Sequence, residues 1–367
     1  MKGEVRIKRT MPYMKMNWIL SEDIKRIASA SYIEWDKIGN SDFLITGATG
    51  LIGSAIVRVL TYVRDLRINN KIYVVVRDPA KVSLIFGDDY ADKGIIPLIS
   101  DVREFDIPNI NVDYVIHGAS VTTSRYMVTN PVETLMTSID GTDRLLRYAA
   151  EKKVKGMVYL SSMEMYGYTM SEQNPITEEK QGYIDLRNVR SCYPEGKRAC
   201  ECLCNCYAKE YSVPVKIARL AQTFGAGVTS EDTRVFSSFA KSAIRHENIV
   251  LHTKGESVGN YCYTADVVGA VLCLLTKGEW GEAYNVVNEK NTMKIREMAV
   301  LVADKISGGA SEVVFDNLED SGKFGYAPDT NLRLSSEKIR ALGWYSEIEL
   351  AEMYKRMIDN WKMQTGE

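Results

Sequence analysis

Histidine is scarce: His117, His246 and His252 are the three in 367 residues, and no two form a pair in sequence. That argues against a histidine general base. Long apolar runs are also missing. Trp18-Ile19-Leu20, behind the basic Lys2, Arg6, Lys8, Arg9 and Lys15, is too short for a signal-peptide core, and no stretch approaches a membrane span. Nor is there an excess of either charge: 46 basic against 48 acidic residues leave a formal charge of −2. No global field draws in nucleic acid or an anionic membrane, so any phosphate-bearing ligand needs a local site. The seven cysteines are an odd number without secretory context, which reads as reduced and cytoplasmic. Cys200, Cys202, Cys204 and Cys206 alternate on an expected helix, where the pairs 200/204 and 202/206 point apart. They do not assemble a tetrahedral thiolate site, and no metal is expected.

What is present is an ordinary globular composition, 45% hydrophobic, in a chain long enough for one large or two coupled domains. Residues 1–40 read as an N-terminal appendage, with a helix start at Ser21-Glu22-Asp23. From Asp42 short apolar runs alternate with helical stretches. Strands are expected at 43–45, 72–76, 95–99, 114–116, 157–160 and 213–217, and helices at 51–65, 132–152 and 194–210. Such alternation marks βαβ units around a parallel sheet buried on both faces, a doubly wound α/β fold. The dinucleotide-binding domain is placed at 41–221, with a strand returning near 283–287. Residues 222–367 mainly form a smaller C-terminal, substrate-binding lobe.

The run Phe43-Leu44-Ile45-Thr46-Gly47-Ala48-Thr49-Gly50-Leu51-Ile52-Gly53 is strand, tight turn and helix. Glycines at 47, 50 and 53 let the chain turn sharply, approach a pyrophosphate and pack helix on strand, with the helix N-terminus facing the negative charge. Thr49, Leu51 and Ile52 belong to the same cradle. At the end of the second strand an acidic residue would bind the ribose 2′-hydroxyl, whereas arginine accommodates a 2′-phosphate. Arg77 occupies that place with Asp78 one step beyond, which leans toward NADP and leaves NAD or NADP as the cofactor. Asp101-Val102 follows the third strand beside the expected adenine. His117, read as a buried structural histidine, ends the fourth strand ahead of Ala119 and Ser120.

Downstream, Ser161-Ser162-Met163-Glu164-Met165-Tyr166-Gly167 follows a strand, and Tyr193-Pro194-Glu195-Gly196-Lys197 opens a helix. Tyr193 and Lys197, four apart, share a helix face. An ammonium nearby stabilises a phenolate, so the expectation is a Tyr193 pKa lowered toward the working range. Ser162 is placed to hydrogen-bond the same substrate oxygen while Tyr193 removes its proton.

Taken together, these stretches resemble the extended short-chain dehydrogenase/reductase family, in its group of NAD-dependent nucleotide-sugar epimerases, dehydratases and decarboxylases. The resemblance covers roughly residues 41–345. It rests on Thr46–Ser54, Val115–Ser120, Asn130–Glu133, Gly141-Thr142, Ser161–Gly167, Arg190–Arg198, Ala218–Gly225, Arg234–Phe236 and Leu342–Trp344. The run Arg190–Arg198 is especially similar to UDP-glucuronate decarboxylases. The resemblance implies a nucleoside-diphosphate sugar as substrate, oxidised to a 4-keto intermediate and in the epimerase-like case reduced again. A net NADPH-dependent carbonyl reductase and a decarboxylase-like enzyme are the alternatives. It further implies Ser162, Tyr193 and Lys197 as the catalytic triad, with Glu164 as a possible further base. On the substrate side it implies Thr122, Ser162, Tyr166, Gln222 and Arg234. It also implies a homodimer through helices 132–152 and 193–210, with Leu145, Leu146, Ala149, Leu203 and Tyr207 as contacts. Three departures stand out, one of them Arg77, which is unusual for a tightly held NAD. Met163 precedes Glu164 where dehydratases carry aspartate, and methionine has no proton to donate. Gly259-Asn260 replace an arginine often used on the diphosphate, for which Lys254 is the substitute candidate.

Overall fold

The computed structural model describes residues 16–67, 70–104, 109–316 and 330–366. The basic N-terminal residues Lys2 to Lys15 lie outside them.

Seven strands build one parallel sheet. In chain order the first six are β1 (Phe43–Thr46), β2 (Ile72–Val76), β3 (Ile95–Ile99), β4 (Tyr114–His117), β5 (Gly156–Ser162) and β6 (Val215–Leu220). Next come β7 (Gln222–Phe224), β8 (Ile249–Leu251), β9 (Val258–Tyr263) and β10 (Ala283–Val286), and β10 returns to the large sheet beside β6. The spatial order is β10-β6-β5-β4-β1-β2-β3. The order reverses between β1 and β4, and the crevice beyond the carboxyl ends of such a switch point is where open α/β sheets take ligands. β1, β4 and β6 are buried along their whole length, as expected of strands covered by helices on both faces. The strand expected from 213 begins at Val215, because Val213 N–H still donates to the Tyr207 carbonyl and Pro214 offers no donor.

The helix after β1 is Leu51–Arg67; those flanking β5 are Pro131–Lys152 and Cys192–Tyr211, and Thr264–Lys277 is a further cover. Pro131 sits in the first turn of its helix, where no donor is missed. Leu145, Leu146 and Ala149, expected between two copies, are instead spent inside one chain. They are at most 1% exposed, in a cluster with Met157, Cys200 and Cys204, and Leu203 and Tyr207 are partly buried against it. Helices Pro131–Lys152 and Cys192–Tyr211 pack on each other, so their facing apolar rows are consumed there.

The remaining elements, β11 (Asn288–Lys294) and β12 (Val313–Phe315) among them, form a three-stranded sheet β11-β9-β7 and a two-stranded sheet β12-β8, with helices Val235–Ile244, Ile295–Lys305 and Leu350–Thr365. Asn260, where an arginine was looked for, ties this part together. Its amide donates to the Leu332 carbonyl at 2.7 Å, and its oxygen accepts from Leu334 N–H at 3.0 Å and the Thr292 hydroxyl at 3.1 Å. Residues set apart as an appendage contribute to the main core: Ile19, Ile27 and Ile38 are nearly inaccessible. The helix there is Trp18–Ala28, starting ahead of Ser21 because Asn17 Oδ1 caps it from Leu20 N–H at 3.0 Å. Asp23 on this helix accepts from the Tyr263 hydroxyl at 2.6 Å and pairs with Arg356 at 3.1 Å.

Candidate active site

The Gly-rich turn lies between the ends of β1 and β4, packed so closely that side chains cannot enter. A Cβ on Gly47, whose φ is +70°, would stand 2.6 Å from the Gly118 backbone, and one on Gly53 would stand 2.2 Å from the Gly47 carbonyl oxygen. The turn is closed by Gly50 N–H donating to Gly47 O at 3.0 Å. Thr49, Leu51 and Ile52 are partly exposed and Gly50 is exposed, which leaves the first turn of helix Leu51–Arg67 open to an anion. These residues therefore fit a dinucleotide pyrophosphate.

His117 braces the turn. Its Nδ1 is 2.7 Å from Thr46 Oγ1 and its Nε2 is 3.1 Å from Thr142 Oγ1. Thr142 donates to Ser138 O, and Ala119 N–H donates to Thr46 Oγ1. The chain of bonds is satisfied by a neutral ring with its proton on Nε2. Burial holds His117 neutral, its pKa pushed down to about 3. It is structural, as read from the sequence. Ala119 and Ser120 follow it, partly exposed, and Thr122 is exposed.

Arg77 and Asp78 are exposed at the end of β2, and Asp78 Oδ1 accepts from Ala80 N–H at 3.0 Å. Asp101 is held below the usual carboxylate range in spite of partial burial, through hydrogen bonds from Arg103 and the charges of Arg103 and Arg77. Val102 is buried, its side chain against Gly141 on the neighbouring helix.

The Ser162, Tyr193 and Lys197 side chains meet at the carboxyl end of β5. Ser162 ends that strand and caps the short turn behind it, its Oγ accepting from Glu164 N–H at 3.2 Å. The Ser162 side chain also lies near enough to Tyr193 to pull the phenol's pKa down. Lys197 Nζ donates to the Leu160 carbonyl at 2.8 Å and lies 5.7 Å from the centroid of the Tyr193 ring. The expected lowering of the Tyr193 pKa is not found. Burial, reinforced by the Glu164 charge, pushes it up to about 12 against the opposing pull of Ser162 and Arg190. Burial also pushes Lys197 down to about 8, weakening the ammonium that was expected to stabilise the phenolate.

Glu164 is engaged by Arg190, whose Nη2 reaches both carboxylate oxygens at 3.1 and 2.8 Å. Met163 packs partly buried against the main core. Tyr166 is not in the site: it is fully buried, donates to Asn285 Oδ1 at 2.8 Å and accepts from Arg219 at 2.9 Å. Gln222 and Lys254 are exposed. Arg234 is half exposed and paired with Asp232 at 2.6 Å, its guanidinium 4.6 Å over the Phe236 ring.

Two features escaped the sequence reading. One is Arg190, whose Cζ lies 5.4 Å from the Tyr193 ring centroid. It was noted only as part of a similar run, although its place three residues before Tyr193 was the available signal. The other is a buried polar network under the strand end. Ser161 donates to Glu201 at 2.5 Å, and Arg219 grips the same carboxylate at 2.8–3.2 Å. No pattern in the chain joins these three positions.

The profile of the NAD dependent epimerase/dehydratase family matches residues 43–287. The chain belongs to that family. The match spans the Gly-rich turn, both halves of the Ser162–Lys197 cluster and the returning strand β10. UDP-glucuronic acid decarboxylase 6 of Arabidopsis thaliana is 28% identical over 331 residues, 89% of this chain and 90% of that protein. The dTDP-D-glucose 4,6-dehydratase of Mus musculus is 28% identical over 342 residues, 87% of this chain and 90% of that protein. Among solved structures, the UDP-glucose 4-epimerase of Thermotoga maritima superposes with a TM-score of 0.74 at 22% identity, covering 89% of this chain and all of that one. That likeness confirms the doubly wound α/β fold.

Proposed function

We propose that this protein is a nucleotide-sugar-modifying enzyme, epimerase-like, which takes a nucleoside-diphosphate sugar through a 4-keto intermediate with NAD or NADP. The observation that carries the reading is the meeting of Ser162, Tyr193 and Lys197 beside the glycine turn of an NAD dependent epimerase/dehydratase family member. The relatives' names, sugar nucleotide decarboxylase and dehydratase, support the substrate class. Bound in the crevice, the dinucleotide supplies the hydride acceptor and donor.

The chain's own residues do the rest. Tyr193 has to ionise before it takes the hydroxyl proton of the sugar and returns it, Lys197 supplies the charge that favours its phenolate, and Ser162 holds the same oxygen from the other side. Gly47, Thr49, Gly50, Leu51, Ile52 and Gly53 seat the pyrophosphate, with Asp101, Val102, Ala119 and Ser120 along the dinucleotide. Residues 41–221 with strand 283–286 carry the cofactor, and 222–367 mainly carry the substrate, with Thr122, Gln222 and Arg234 as its contacts. Met163 offers no acid and argues against dehydration. A decarboxylase-like reaction is the second reading, favoured by the similarity to Arabidopsis thaliana UDP-glucuronic acid decarboxylase over most of both chains. We place the enzyme in the cytoplasm as a homodimer, the former supported by seven unpaired cysteines. The test is incubation with a panel of nucleotide sugars, products read by NMR, together with the absorbance of the cofactor released from the purified protein. An epimer with tightly held oxidised cofactor supports recycling. Net loss of NADPH indicates a reductase, and release of carbon dioxide indicates a decarboxylase.

A further inference from the structure

Lys197 is 4% exposed, so water no longer solvates its ammonium. Its hydrogen bond goes to a neutral acceptor, the Leu160 carbonyl at 2.8 Å. The carboxylates whose charge reaches it are engaged elsewhere: Glu201 is gripped by Arg219 and Ser161, and Glu164 by Arg190. What faces the ammonium instead is aromatic. It stands 4.9 Å from the centroid of the Tyr159 ring and 5.7 Å from that of Tyr193, both within the roughly 6 Å over which a ring face attracts a cation.

The two rings differ in what they offer. Tyr193 changes charge during the proton transfer. Tyr159 is 2% exposed and burial raises its hydroxyl well above the ordinary range, so its ring is a constant face. The sheet sets its place. Parallel register pairs Thr46 with His117 and His117 with Tyr159, so one row of side chains runs from the residue before the glycine turn to the strand under helix Cys192–Tyr211. The His117 and Tyr159 ring centroids are 5.5 Å apart. Burial and the Lys197 charge keep His117 neutral, which leaves the Tyr159 face to a single cation. Burial pushes Lys197 down to about 8, and Cys200, Glu201 and Cys204 on its own helix and Glu164 in the turn after β5 oppose that only in part.

We propose that Tyr159 is the positioning residue of Lys197: its ring face keeps the buried ammonium charged, on the Leu160 carbonyl and beside the Tyr193 ring, while Tyr193 is still a neutral phenol. A buried ammonium held by a carbonyl alone loses its proton more readily than one in water, and a neutral amine does nothing for a phenolate. A desolvated cation on a tyrosine face gains enough to move that balance. The inference rests on the reading of Tyr193 and Lys197 as the acid–base pair and adds to it the residue that holds the lysine ready.

The test is the pH titration of Lys197 in the full chain, read by NMR of isotope-labelled lysine Cε, with the signal assigned through Lys197→Arg. Tyr159→Phe keeps the ring face. Tyr159→trifluorophenylalanine keeps its shape but withdraws the negative charge of the face, and Tyr159→Leu removes the ring. The midpoint is expected near the wild-type value in the phenylalanine variant and about one pH unit lower in the fluorinated and leucine variants, the size of a buried cation–π contact. The two ring variants are nearly isosteric, so a leucine variant that fails to fold leaves their comparison intact. On a verified substrate the alkaline limb of kcat/KM should move down with the midpoint, since activity is lost as Lys197 gives up its proton. A midpoint that is the same in the phenylalanine and fluorinated variants overturns the proposal. So does a leucine variant whose turnover falls with no shift in either pH curve. The titration needs no substrate, so a sugar panel without turnover would remove the nucleotide-sugar reading and leave the positioning of Lys197 to stand or fall on its own result.

Discussion

Lys197 and Tyr193 share one face of their helix, yet the ammonium ends on the Leu160 carbonyl at 2.8 Å and stands 5.7 Å from the Tyr193 ring centroid. The tyrosine is thus a neutral, buried phenol in the free protein, with Ser162 beside it. We expect Tyr193→Phe to lower turnover by about 10²–10⁴-fold, the usual contribution of a general acid–base group. Dinucleotide affinity should stay nearly intact, since the glycine turn is untouched. Steady-state rates on a verified substrate, with a parallel cofactor titration, check both halves, and wild-type turnover in the phenylalanine variant would remove Tyr193 from the chemistry.

Arg77 decides the cofactor if it reads the ribose. It is exposed at the end of β2, and its charge is felt at Asp101. A 2′-phosphate would gain charge-assisted hydrogen bonds of about 1.5–3 kcal/mol each. Arg77→Asp should then move preference toward NAD by roughly tenfold or more. Titration of both dinucleotides into wild type and variant measures it. Identical NAD and NADP affinities in both proteins would show that Arg77 does not contact the ribose.

Glu201 and Arg219 are buried together beneath Ser161. Glu201→Ala leaves a buried guanidinium without its carboxylate, which should destabilise the fold by about 3–5 kcal/mol. Urea unfolding of the variant gives the value. A change below about 1 kcal/mol, the scale of an exposed pair, would mean that Arg219 finds water instead.

Asp23 links the N-terminal helix to the rest through Tyr263 and Arg356. Burial raises its pKa from 3.8 to about 6, against the hydrogen bond from Tyr263 and the charges of Arg356 and Arg26. A raised carboxyl stabilises the fold most below its unfolded pKa, and that contribution is lost as pH rises through the folded value. Between about pH 4 and 7 the wild type should therefore lose on the order of 3 kcal/mol relative to Asp23→Asn. Urea midpoints of both proteins across that window test the slope, and parallel curves would contradict it.

A homodimer is expected from the exposed side of helix Pro131–Lys152, where Val132 is 75% and Met136 39% exposed, rather than from Leu145, Leu146 and Ala149. Light scattering at micromolar concentration should give twice the chain mass. A strictly monomeric mass would count against the pairing.

Most of the βαβ scaffold was legible because strand burial writes continuous apolar runs such as Ile72–Val76, and the glycine spacing at 47, 50 and 53 follows from how closely backbones must approach. The Tyr193/Lys197 pair was legible through the helical period. Tyr166 was misplaced because its motif position says nothing of where the ring points. Its hydroxyl is claimed by Asn285 and Arg219, which lie on strands far along the chain.

By itself, then, the sequence determined the local order of strand, turn and helix, the tight glycine turn and the placing of Tyr193 and Lys197 on one helix face, because each depends on neighbours within a few positions. Only the tertiary structure decided which charges meet. Glu164 with Arg190, Ser161 with Glu201 and Arg219, and Asp23 with Tyr263 and Arg356 are pairings across separate elements. It also set the direction in which the Tyr193 and Lys197 pKa values move, since burial, which outweighs their nearest charges, is a property of the packed site.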